Sequence, residues 1–132
     1  MKKFYVASSF SNTNSVNYVV QQLVTKGYLH TYDWTKNAKT REEKSITLAD
    51  LKEIGQKEKS AVMDSDFIVV LLPGGKGTHI ELGIAIGLAK KAYIHSPDGA
   101  IDNPETTSTF YHLPDVEKCY GTLDDLLKKI TD

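Results

Sequence analysis

The chain has 132 residues, of which 40% are hydrophobic and 25% charged, the length and apolar share of one ordinary folded domain. Such a chain buries about two thirds of the surface its unfolded form exposes, so it needs no disulfide or metal staple. Its 16 Lys and Arg against 17 Asp and Glu leave a net charge of -1, which excludes a strongly basic nucleic-acid-binding surface, and the lone Cys119 excludes a disulfide framework or a cysteine-rich zinc site.

Short apolar runs alternate with amphipathic stretches, the pattern of βαβ units around a parallel sheet. Residues 4–7 are the first expected strand, closed by Ser8-Ser9-Phe10-Ser11-Asn12. A helix is expected over 13–26, with Val16, Val19, Val20 and Leu23 on one face and Gly27 as its stop. Residues 28–34 read as a second strand. Charges of both signs crowd 36–59, as on a solvated loop and helix face. Within that stretch Thr47-Leu48-Ala49-Asp50 has the form of a capping box opening a helix that runs to about Met63.

Residues 66–72 form a β-branched run unbroken by polar alternation, as in a central parallel strand. Pro73-Gly74-Gly75-Lys76-Gly77 is a sharp turn before a helix over 78–90. A fourth strand is expected over 92–95, a loop over 96–103, a fifth strand over 116–120 and a closing helix over 123–130. With no internal repeat or linker, the expectation is a single α/β domain over 1–132. Its sheet is doubly wound and parallel, flavodoxin-like or Rossmann-like, with about five strands and helices on both faces. The longest apolar run, 67–72, is far short of the roughly 20 residues of a spanning helix. Met1-Lys2-Lys3 is followed by no signal-peptide core, so no membrane contact is expected and the cytoplasm is the default location.

In such a sheet, ligands bind outside the carboxyl ends of the strands. The hydroxyls of Ser8 and Ser9, beside Phe10, could hold a sugar or phosphate there, or simply cap a helix. In the second loop Gly74, Gly75 and Gly77 let the backbone approach an anion, Lys76 adds charge and Thr78 opens the helix, so anion or sugar binding is preferred over a purely structural turn. The loop is not a Walker motif.

Glu81 closes a Thr78-His79-Ile80-Glu81 capping box at the third helical position, which alone would explain it. It also shares a helix face with Ala85 and Leu88 and borders the expected pocket, where a helix N-terminus would keep it ionised, as a nucleophile requires. Glu58 interrupts the apolar stripe of Leu51, Ile54, Ala61 and Val62, so it either reaches out to water or lines a polar pocket. The Tyr5 hydroxyl, on a strand covered on both faces, needs a partner: water, backbone or a carboxylate. Asp33, Tyr32 and Trp34 could wall the pocket, Trp34 as a stacking surface for a base. The four histidines show no metal-ligand spacing, so no metal is expected; His79 is either next to the site or solvent-facing.

The segments Phe4-Tyr5-Val6-Ala7-Ser8-Ser9-Phe10, Met63-Asp64-Ser65-Asp66 and Gly77-Thr78-His79-Ile80-Glu81-Leu82-Gly83 resemble the nucleoside 2-deoxyribosyltransferase family, which includes the 2'-deoxynucleoside 5'-phosphate N-hydrolases. The resemblance runs from residue 3 to about 95. The stretch from Pro73 to Glu81 is also similar to the Pro-Gly-Gly-x-Gly-Thr-x-x-Glu motif of the Lonely Guy phosphoribohydrolases.

Both resemblances imply cleavage or transfer at the N-glycosidic bond of a (deoxy)nucleoside or its 5'-monophosphate. They imply a small-molecule partner, no cofactor and a homodimer. By resemblance, Glu81 attacks or stabilises the anomeric carbon, Tyr5 positions it, and Ser9 contacts sugar or phosphate. Glu58 stands where an aspartate protonates the leaving base, with Asp66 as second choice. Two nearby carboxylates could push their pKa values apart into one acid and one nucleophile. Glu58 is one methylene longer than aspartate, and Gly75 replaces a phosphate-binding serine for which Lys76 could compensate. These departures favour the main alternative, a nucleotide-sensing module without turnover. A third reading is a flavodoxin-like flavin-binding domain.

Overall fold

The computed structural model describes residues 2–37 and 46–132. Five strands form where the β-branched and aromatic runs lie: β1 (Lys3–Ala7), β2 (Leu29–His30), β3 (Phe67–Leu71), β4 (Lys91–His95) and β5 (Val116–Cys119). The helices are α1 (Thr13–Thr25), α2 (Leu48–Asp64), α3 (Lys76–Gly87) and α4 (Leu123–Thr131). The strands lie in the order β2-β1-β3-β4-β5 and every pairing is parallel, with Phe4 to Ala7 of β1 aligned on Phe67 to Val70 of β3. The expected α/β class is therefore the observed one.

Helix α1 packs against α4, and α2 against α3, one pair for each face of the sheet. The two layers seal the central strands: Phe4, Tyr5, Val6 and Ala7 are fully buried, as are Ile68, Val69 and Val70. The chain leaves β1 for β2 on one side and returns to β3 on the other. The crevice between the loops after β1 and β3 is thus the topological switch point, where such sheets bind ligands.

Local chemistry sets the element ends. The Thr47 capping box forms: Asp50 N–H donates to Thr47 Oγ1 at 3.1 Å and Thr47 N–H to the Asp50 carboxylate at 3.0 Å. Strand β2 is shorter than 28–34. Thr31 N–H still donates to Phe4 O at 3.0 Å, but Asp33 then accepts Thr35 N–H at 3.0 Å and caps a 3-10 turn, Trp34–Lys36, which diverts the chain from the edge.

Helix α3 begins at Lys76, two residues before the expected start. Gly75 N–H donates to Thr78 Oγ1 at 3.1 Å, so Thr78 closes the first turn from its third position. The capping box expected over 78–81 does not form, and Glu81 is freed for another contact. Part of the charged stretch, 38–45, lies outside the described residues. Among the described residues no helix is long and apolar enough to cross a membrane.

Candidate active site

At the switch point lies a cleft of about 260 Å³ walled by Ser8, Ser9, Phe10, Trp34, Glu58, Gly75, Gly77, Thr78 and Glu81. That volume is near the low end of the roughly 300–1,000 Å³ usual for small-ligand pockets. All nine were singled out from the sequence, and they meet here from four separate parts of the chain. Tyr5 joins them from beneath. It is fully buried in β1, and its hydroxyl donates to Glu81 Oε2 at 2.5 Å.

Glu81 is only 7% exposed. Glu58, half-buried on α2, faces it closely enough for a side-chain hydrogen bond between the two carboxyl groups. Such a bond requires a proton on one of them. Burial, aided by Glu58, pushes the Glu81 carboxyl up to about 8 against the downward pull of the Tyr5 hydrogen bond. The expectation that a helix N-terminus keeps Glu81 ionised is thus corrected: it lies beyond the first turn, where the dipole has faded and desolvation dominates. Burial and the same carboxyl push the Tyr5 hydroxyl upward, so it stays a proton donor.

Loop contacts lock the rim. Ser8 Oγ donates to Leu71 O at 2.7 Å, and Asn12 Nδ2 donates to Ser8 Oγ at 3.0 Å and to Pro73 O at 3.1 Å. Ser8 has thereby given away its one proton and ties β1 to β3. Ser9 shares a hydroxyl bond with Ser11 at 2.6 Å in which either oxygen can donate, and its other contact is a long 3.4 Å bond to Pro73 O that a better-placed ligand acceptor could replace. Trp34 Nε1 donates to Val6 O at 2.6 Å, which fixes the indole, and Phe10 meets it edge-on at 5.1 Å.

The glycines divide in role. A Cβ at Gly74 would sit 2.5 Å from the buried Thr78 side chain, so Gly74 is needed for packing. At Gly75 and Gly77 a Cβ would meet nothing within 4 Å, so the absence of side chains leaves room in the cleft wall.

Five expected residues stand apart. Tyr32 lines a separate cavity beside Ala61 and Asp64, where its hydroxyl accepts from Asn37 Nδ2 at 2.9 Å. Asp66 lies at the opposite, amino end of β3, where it accepts Lys3 N–H at 2.8 Å. It precedes the strand, whereas ligands meet the strand's far end. Asp33 uses its carboxylate to cap the turn at Thr35. Gly74 lines a neighbouring cavity of about 200 Å³ with Ser96 and Tyr111. Lys76 is exposed at the first helical position, outside the cleft wall. Asn12 was missed as a clasp because a helix-capping residue carries no signal of a contact across 61 residues. Among the described residues, no group of three or more His, Cys, Asp or Glu could hold a metal ion.

No protein-family model matches the sequence, and no curated protein does. The fold has solved counterparts. One is the Clostridium botulinum CMP N-glycosidase BcmB, at a TM-score of 0.62 and 15% identity over 98% of each chain. Another is a conserved protein from Enterococcus faecalis V583, at a TM-score of 0.59 and 23% identity over 98% of this chain and 87% of that one. At these identities the likeness is one of fold, and it extends along nearly the whole chain.

Proposed function

We propose that the chain cleaves, or transfers, the sugar at the N-glycosidic bond of a (deoxy)nucleoside or nucleoside 5'-monophosphate. The observation that carries the reading is the buried Tyr5–Glu81 pair, faced by the half-buried Glu58, in a cleft at the switch point. The shared fold with a CMP N-glycosidase supports the same reaction class.

In this reading the two carboxyl groups hold one proton between them. At rest burial keeps that proton on Glu81; as substrate binds it passes to Glu58, and the Tyr5 hydrogen bond favours the charge left on Glu81. A Glu81 oxygen bonds to C1' as the C1'–N bond breaks through an oxocarbenium-like transition state, and Glu58 gives its proton to the departing base. A water then loses its proton to Glu58 and attacks C1', which releases the sugar and restores the pair. A second base in place of water gives transfer. Phe10 and Trp34 offer the base an aromatic wall, while Ser9, Gly75 and Gly77 face the sugar or phosphate.

The proposal includes a homodimer. On α3, Ile80 is 64% exposed and, with Ile86, Gly83 and the 59% exposed Phe110, lines an apolar groove suited to a second copy; light scattering of the purified chain measures it.

The test is incubation with a panel of ribo- and deoxyribonucleosides and their 5'-monophosphates, with free base read by chromatography. The reading expects base release from at least one of them, lost in Glu81→Gln. Tight binding of a nucleotide without any release would replace it with the sensing module.

A further inference from the structure

The first turn of α3 is held by a contact the cleft chemistry does not use. His79 Nδ1 lies 2.8 Å from Gly75 O, and His79 Nε2 lies 2.6 Å from the Tyr111 hydroxyl. A carbonyl oxygen can only accept, so Nδ1 carries the proton. In the neutral imidazole Nε2 is then an acceptor, and Tyr111 must donate to it. Burial pushes the Tyr111 hydroxyl up, which keeps that proton in place. Tyr111 is itself anchored, 7% exposed, in the 3-10 turn Thr109–His112, whose start Ser108 caps by accepting Phe110 N–H.

Gly75 is therefore held at both its N–H and its C=O. Thr78 Oγ1 takes its N–H at 3.1 Å, and the His79 ring donates to its C=O, beside a longer 3.3 Å contact from the His79 backbone. Among the described residues nothing lies within 4 Å of where a Cβ at Gly75 would sit, so that side of the residue is unpacked. Its backbone is nonetheless a wall of the Glu81 cleft. The position of that wall thus depends on a hydrogen bond donated to Thr78 and one accepted from His79.

We infer that His79, held in its Nδ1–H tautomer by Tyr111, is a positioning residue that fixes the Gly75 peptide in the cleft wall and so sets affinity for the substrate rather than the rate of bond cleavage. What touches Gly75 rests on the proposed function; the tautomer and the clamp do not. The imidazole touches no reacting atom in this scheme.

Two amide variants separate the clamp from bulk structure, because an Asn amide nitrogen falls where Nδ1 sits and a Gln amide nitrogen falls where Nε2 sits. Long-range proton–nitrogen NMR of the full chain should find Nδ1 protonated and Nε2 bare, with Tyr111→Phe shifting His79 toward the other tautomer. His79→Asn should keep KM within about twofold of wild type, while His79→Gln should raise it by about tenfold with kcat within about twofold. The Gly75 carbonyl-carbon shift should move away from wild type in His79→Gln and stay near it in His79→Asn, because only Asn keeps a donor to that oxygen. A wild-type Nε2–H tautomer, equal KM for the two variants, or a loss confined to kcat would overturn the inference. If no nucleotide is turned over, the glycosidase reading fails, and the tautomer and the Gly75 carbonyl-carbon shift still decide the clamp.

Discussion

The two ends of β1 and β3 carry carboxyl groups in opposite circumstances. At the amino end Asp66 accepts Lys3 N–H at 2.8 Å, and the Lys3 ammonium lies 3.2 Å from Asp64, both side chains open to water. An exposed pair of that kind contributes about 0–1 kcal/mol and asks nothing unusual of the fold. At the carboxyl end Glu81 is buried against a phenol and a second carboxyl, which burial makes costly to ionise. The amino end explains itself as structure. The other end has no comparable structural return, and such arrangements cluster where chemistry is done.

Breaking the costly end should have the largest effects. Glu81→Gln should lower base release by at least about 10³-fold in initial-rate assays. It should also change stability with a defined sign. Glu81 titrates in the folded chain at about 8 rather than the ordinary 4.5, so its contribution is fully present below 4.5 and is lost as pH rises through about 8. Denaturant melts should therefore show Glu81→Gln gaining on wild type across that window, by up to about 5 kcal/mol above it.

Glu58→Gln should cost about 10²-fold, and less for a leaving group that departs without a proton, which a comparison of leaving groups measures. Tyr5→Phe removes the one contact that pulls Glu81 down. The acid limb of the pH–rate profile should move to higher pH, and kcat/KM at neutral pH should fall by about tenfold. The smallest effect belongs to the amino end. Asp66→Asn keeps an oxygen to accept Lys3 N–H, so its stability should stay within about 1 kcal/mol and its turnover within about twofold of wild type.

What was legible in the sequence follows from how local the physics is. The strands at Phe4, Phe67 and Ala92 lie where their apolar runs placed them, and the Thr47–Asp50 capping box forms from two residues three apart. Glu58 showed itself by interrupting an apolar stripe, and Tyr5 by carrying a hydroxyl into a buried strand. Their meeting with Glu81 is tertiary, 76 residues apart for Tyr5, and no periodicity encodes it.

The same limit explains the residues that fell elsewhere. Asp66 and Asp33 both border strands, but which end of a strand faces the cleft depends on chain direction for Asp66, and on a local cap for Asp33. The start of α3 was misplaced because Thr78 caps from its third position, behind a glycine that gives no side-chain cue. The His79–Tyr111 bond spans 32 residues and left only an ambiguous histidine in view.

The account turns on Glu81 forming a bond to the sugar. Rapid quench of the chain with a slowly hydrolysed 2'-fluoro nucleotide, followed by intact-mass and peptide analysis, tests that step itself. The expected result is a mass gain equal to the sugar moiety, located on Glu81 and absent from Glu81→Gln. Base release that continues in Glu81→Gln, or an adduct on another residue, would contradict it.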